Sequence, residues 1–154
     1  VNLNPEHYSQ EIGDRVAPVI NDVYSLGRGD ARPLGDGKLS ERPTELVVDA
    51  YDRINEGVYK NTPAYARLVF ASGEQTVWDF TKRLAVGDSK FPHIWDVFKE
   101  ELRVVGGRRL RTEGDYSSRS FLLRLAVPAQ ARGKFRVEIG DAAGNIAARE
   151  GELL

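Results

Sequence analysis

Apolar and polar positions along this chain sort into two periods. Tyr8, Ile12, Val16, Val19, Ile20 and Val23 recur at three- and four-residue steps after Asn4-Pro5-Glu6, where Asn suits an N-cap and Pro the first helical position. The spacing predicts a helix over residues 4–26, kinked or split at Pro18. Residues 27–43 (GRGDARPLGDGKLSERP) are punctuated by Gly and Pro and nearly devoid of large apolar groups. They read as a surface loop or linker that makes the first helix an appendage. In residues 44–57, Val47, Ala50, Tyr51 and Ile54 fall on one side of a helical projection. Glu45, Asp49, Asp52 and Glu56 fall on the other. This reads as a helix docked by its apolar side, with an acid stripe turned to water.

Further along, the period shortens to two. Ala66, Leu68 and Phe70 alternate, as do Thr76, Trp78 and Phe80, predicting a hairpin of residues 65–71 and 75–82 around Ser72-Gly73-Glu74. Residues 92–105 return to helical spacing through Ile94, Trp95, Phe98, Leu102 and Val105, with Gly106-Gly107 as the C-terminal cap. Phe121, Leu123, Leu125 and Val127 alternate, and Phe135, Val137 and Ile139 alternate against Lys134, Arg136 and Glu138. After a turn at 141–145, Ile146 and Ala148 mark a short edge strand. The order predicts an α+β fold: an antiparallel sheet of four to five strands, two helices packed on one face, and an N-terminal helix. The domain division follows, with the helix and Gly/Pro-rich loop at 1–43 and the α+β core at 44–154.

Composition narrows the chemistry. At 154 residues the chain can bury a core without a disulfide or metal staple. It has no cysteine, which excludes disulfides, thiolate zinc sites and cysteine nucleophiles. That fits a reducing compartment, and residues 1–11 lack the basic and apolar regions of a signal peptide, so a cytoplasmic location is expected. No apolar run reaches the roughly 20 residues of a membrane span. With 22 basic and 23 acidic residues the net charge is −1, which argues against nucleic acid as a partner. Arg103, Arg108, Arg109 and Arg111 could grip phosphates, but cations also belong at a helix C-terminus. His7 and His93 lack further ligands at matched spacing, so no metal or other cofactor is expected. His93, beside Trp95 and Asp96, is the one histidine placed to act as acid or base. No nucleotide loop or nucleophile elbow occurs.

From residue 44 onward the segments AYDRINEGVY, YARLVF with QTVWDF, IWDVFKEEL, and FLLRLAV with GKFRVEI resemble small bacterial toxin-immunity proteins of the YezG-like kind. The resemblance implies a cytoplasmic α+β domain that binds and neutralises a toxin domain. It carries over no functional residue.

The functional expectation is a non-catalytic bacterial binding protein, immunity- or antitoxin-like, that presents Glu45, Asp49, Asp52 and Glu56 to a basic protein partner. Like charges at helical spacing cost a few tenths of a kcal/mol per pair, and a one-sign face steers association. The alternative is a small-ligand-binding or enzymatic α+β domain. Its pocket, between sheet and helices, would be lined by Trp78, Phe80, Trp95 and Tyr116, with Asp79, His93 and Arg124 as polar groups. A homodimer through the edge strand near Ile146 is a further expectation.

Overall fold

The computed structural model describes residues 15–53, 60–80, 94–112 and 121–154. Three short or full strands open it: β1 (Val19–Leu26), β2 (Arg32–Pro33) and β3 (Lys38–Leu39). Next come β4 (Glu45–Tyr51), β5 (Tyr65–Phe70) and β6 (Gln75–Asp79). A single helical turn, α1 (Ile94–Val97), precedes β7 (Glu101–Val104) and β8 (Arg108–Arg111). The chain closes with β9 (Phe121–Ala126), β10 (Gly133–Gly140) and β11 (Ile146–Leu153).

These strands form two packed sheets and a separate hairpin. One sheet runs β2-β1-β4-β9, the other β3-β11-β10-β5-β6, and β7 pairs with β8, with a single bridge from Val104 to Ala31. Every pairing is antiparallel except β3 on β11. Side chains alternate across each strand, so each sheet has an inner face. Ile20, Val23, Leu46, Val48, Leu123 and Leu125 of the first sheet meet Leu68, Phe70, Phe135, Val137, Ile139 and Leu153 of the second in one buried core. The outer face of the first sheet is covered as well. Tyr24, Val47 and Leu122 form a second buried cluster with Ala31 and with Leu102 and Val104 of the β7–β8 hairpin. The result is three layers: sheet, sheet, hairpin.

Leaving out the short β2 and β3, the first sheet holds the first, second and fifth strands of the sandwich. The second sheet holds the third, fourth, sixth and seventh. The two sheets exchange strands through crossovers, the arrangement of a Greek-key β-sandwich. The hairpin lies in the connection between β6 and β9, an insertion into that frame.

The expected α+β architecture, and with it the two docked helices, is overturned. The described chain is mostly strand, and none of its helices reaches seven residues. Residues 45–51 are strand β4, not an acid-striped helix, because this central strand is buried on both faces: Leu46, Val48 and Ala50 in the main core, Val47 under the hairpin. The N-terminal helix is likewise replaced by β1 over residues 19–26, and residues 15–18 form no regular element; residues 1–14 lie outside the described residues. A register shift between Ile20 and Asp22 puts an extra residue into β1, so buried Ile20 and Val23 stand three apart, which imitates a helix. The helix expected over 92–105 shrinks to α1, and Leu102 and Val104 alternate in β7 instead. Gly106 and Gly107 turn the hairpin, at φ of 96° and 90°, values glycine adopts without strain. The division at residue 43 falls inside the first sheet, between the paired strands β1 and β4.

The β5–β6 hairpin stands where alternation placed it, as do β9 and β10. β11 is longer than expected and pairs with β10 along its whole length. No helix among the described residues is long and apolar enough to cross a membrane.

A titratable group, Tyr24, lies under the hairpin layer. The buried Tyr24 hydroxyl accepts an N–H from Arg108 Nη2 at 3.3 Å. Burial pushes its phenol above the ordinary value of 10.0, Asp22 and Asp49 push the same way, and Arg108 opposes them. Above that ordinary value the unfolded phenol ionises while the native one keeps its proton. Stability is therefore full below about pH 10 and falls as pH rises through the folded pKa. The urea midpoint should decline above pH 10, and Tyr24→Phe should flatten part of that decline. Tyr65, raised chiefly by burial, leaves a residual slope. An identical slope in the variant would rule Tyr24 out as the cause.

Candidate ligand cleft

Strand β9 is the edge of the first sheet, and an open edge exposes unpaired backbone groups. Here side chains and the insertion close it. Across the sandwich, Thr76 Oγ1 donates to the carbonyl of Ala126 at 2.7 Å, and Trp78 Nε1 donates to the carbonyl of Arg124. Further along, the Lys99 amide donates to Leu122 O at 2.8 Å, and Leu122 N donates to Thr112 Oγ1 at 3.0 Å. Thr112 Oγ1 in turn donates to Lys99 O at 2.8 Å. The insertion is thereby stitched to β9 at its two ends, after α1 and after β8.

Arg124 is the hub of this edge. Its Nε and Nη2 both donate to Glu45 Oε2, at 3.1 and 3.0 Å. Its Nη1 donates to the carbonyl of Trp95 at 2.8 Å. Glu45 and Arg124 share the outer face of the first sheet, one on β4 and one on β9. The carboxylate thus aims the guanidinium, and the guanidinium fixes the turn that carries Trp95. Aromatic rings line the same corner. Phe80 stacks on Phe98 with centroids 6.1 Å apart and planes 9° from parallel, and Phe98 meets Phe121 at 5.9 Å and 50°.

Outside this support lies a cleft of about 560 Å³, walled by Trp95, Phe98, Lys99, Glu100, Glu101, Arg111 and Arg124. Trp95 in its wall stays 37% exposed; Ile94, next to it in the chain, and Phe80, stacked on Phe98, stay 55 and 39% exposed. Such clustering of large exposed apolar side chains marks a contact surface; scattered ones would not. Glu101 sits 3.7 Å from Arg109 and 4.0 Å from Arg111 across the hairpin. The hairpin's inner face is taken up by Leu102 and Val104. Register then places Glu101, Arg103, Arg109 and Arg111 together on its outer face.

Of the residues expected to line a pocket between sheet and helices, Trp95 and Arg124 line this cleft at a sandwich edge; Trp78 donates to the Arg124 carbonyl from β6, and Phe80 stacks on Phe98. Asp79 lies beside them on β6, but alternation turns it to the opposite face from Trp78. His93 and Tyr116 lie outside the described residues. The acidic residues expected to form a stripe do not form one. Glu45, Asp49 and Asp52 are all at least nine-tenths buried, and Glu56 lies outside the described residues. Glu45 belongs instead to the cleft's support. Lys99, Glu100 and Glu101 were not anticipated, and nothing in the run Lys99-Glu100-Glu101 distinguishes it from an ordinary charged surface. No group of three His, Asp or Glu among the described residues could hold a metal ion.

Comparison with protein-family models, with curated proteins and with solved structures finds no match for the chain. A β-sandwich hosts many unrelated activities, so function has to be argued from the cleft.

Proposed function

We propose that the chain is a non-catalytic binding domain whose ligand docks in the cleft beside α1 and the β7–β8 hairpin. The observation that carries this is the exposed Trp95 set against a guanidinium, Arg124, that is already locked in place by Glu45 and by the Trp95 carbonyl. Tryptophan and arginine are the residue types that most often carry binding energy, and anchors held rigid before contact lose less entropy on binding. Glu45, Asp49 and Asp52 are each at least nine-tenths buried, so they do not support this reading as contact residues.

The test is a screen of the labelled domain on a glycan microarray and against a displayed peptide library, repeated with Trp95→Ala. Hits should weaken at least about tenfold, or 1.4 kcal/mol, with circular dichroism and melting unchanged. Hits that bind the variant as well as the parent, or no hit in either library, would sink the proposal.

A further inference from the structure

We infer that a second ligand site lies in the hollow framed by residues 25–44, and that it takes an organic phosphate monoester. The site is separate from the cleft and shares no lining residue with it. The hollow measures about 770 Å³, a size that holds a ligand much larger than an inorganic ion. Charge selects the sign of the ligand. Four cations, Arg28, Arg32, Lys38 and Arg42, line the hollow against two carboxylates, Asp30 and Glu41. The whole chain carries −1, so this excess of two positive charges is local. Among the described residues none of the six forms an ion pair. The side chains of Arg28, Arg32 and Lys38 have no hydrogen-bond partner there either. Arg42 differs: its Nη1 and Nη2 donate to the carbonyls of Pro128 and Ala131 at 2.9 and 2.6 Å. Those bonds hold Arg42 in place and leave its charge uncompensated.

A phosphate ester fits this arrangement in charge, geometry and size. It carries about −1.5 to −2 at pH 7, which answers the excess of two, while a single carboxylate leaves half of it unanswered. Guanidinium forks match phosphate oxygens two at a time. Ser40, in the same wall, adds a hydroxyl donor. A bare anion would leave most of the volume unused. Leu34 and Leu39 line the hollow from the core side, Leu34 buried in the main core and Leu39 packed against it. They supply an apolar floor for the organic body of an ester. The frame is also pinned. Leu34 N donates to Val23 O at 2.8 Å, Gly37 N to Leu34 O at 3.0 Å, Glu152 N to Gly37 O at 2.7 Å and Thr44 N to Leu26 O at 2.9 Å. A long connection with little secondary structure is usually either functional or disordered, and one tied down along its length is not disordered. A frame fixed in advance lowers the ordering cost of binding.

The full chain is titrated by calorimetry with AMP and glucose 6-phosphate, with inorganic phosphate and citrate as controls. Vesicles containing phosphatidic acid present the same ester group on a lipid, so the two arms tell a soluble ester from a headgroup. At least one ester should bind with Kd below about 1 mM and weaken as salt rises. Inorganic phosphate, which cannot use the apolar floor, should bind more weakly. Arg28→Ala and Arg32→Ala remove exposed side chains, so melting should be unchanged while affinity falls at least about tenfold in each. Arg103→Ala removes an exposed cation of β7 outside the hollow and should leave affinity as it is. Trp95→Ala, in the cleft, should leave it unchanged too, which keeps the two sites apart. Citrate or inorganic phosphate bound as tightly as the esters, an equal loss in Arg103→Ala, or no ester bound in either arm overturns the proposal. Esters that bind Arg28→Ala and Arg32→Ala undiminished overturn it as well.

Discussion

Gly151→Ala is expected to destabilise the protein by about 3 kcal/mol, although it adds one methyl group to a strand near the end of the chain. A Cβ at this position would lie 2.4 Å from Phe135 Cζ and 2.7 Å from the carbonyl oxygen of Gly37. Neither neighbour can give way. Phe135 is 3% exposed and its ring packs against Phe70 with centroids 5.5 Å apart. Gly37 is held by the Glu152 amide, which donates to its carbonyl at 2.7 Å, and by its own φ of 84°. A Cβ on Gly37 would in turn lie 2.9 Å from Glu150 O, so the two glycines allow each other's backbones to approach. Gly140→Ala makes the control. Its nearest obstacle is the half-exposed ring of Tyr65, which can swing outward, so the cost there should be smaller. For a domain of this size the Gly151 variant should melt roughly 6–12 °C lower. A loss under 1 kcal/mol in urea would mean that the β3–β11 contact is loose.

The same contact explains why residues 27–43 read as a linker. Loop chemistry was legible: glycines and prolines do turn the chain there. The closure was not, because it depends on Gly37 meeting Gly151, more than a hundred residues later, and no local pattern records a long-range approach. Strands with one face buried were legible. β5 and β10 alternate because Leu68 and Val137 face the core while Arg67 and Arg136 face solvent. β4 was illegible for the opposite reason. Burial on both faces erased its alternation, and the chance spacing of Glu45, Asp49 and Asp52 then supplied a helical period. The adjacent Val47-Val48, β-branched and fully buried, was the overlooked strand signal. β1 was disguised by its bulge. The site residues were half legible. Trp95 and Arg124, two of the residues named for a pocket between sheet and helices, line the cleft, but the first strand of the hairpin that completes it was hidden inside a supposed helix.

Arg124→Met is expected to cost about 2–3 kcal/mol, and removing its partner at the same time should restore most of it. Alone, the substitution strands the Glu45 carboxylate, whose side chain is only 11% exposed. A buried charge deprived of its partner typically costs 3–5 kcal/mol, and the 32% exposure of Arg124 brings the figure down. The pair is not well satisfied to begin with, since Glu45 Oε1 is buried without a hydrogen-bond partner. Its surroundings are apolar: Leu26 and Ala126 lie directly opposite on the neighbouring strands. Glu45→Leu with Arg124→Met should therefore fold within about 1 kcal/mol of the parent, giving a coupling energy near 2 kcal/mol in a double-mutant cycle. Additive losses would show that the two side chains act independently. If the coupled result holds, the ion pair contributes little net stability, and its role has to be sought in what Arg124 positions. The double variant lacks the Nη1 bond to the Trp95 carbonyl, so a well-folded protein that has lost its ligand would tie the pair to the cleft and not to the sandwich.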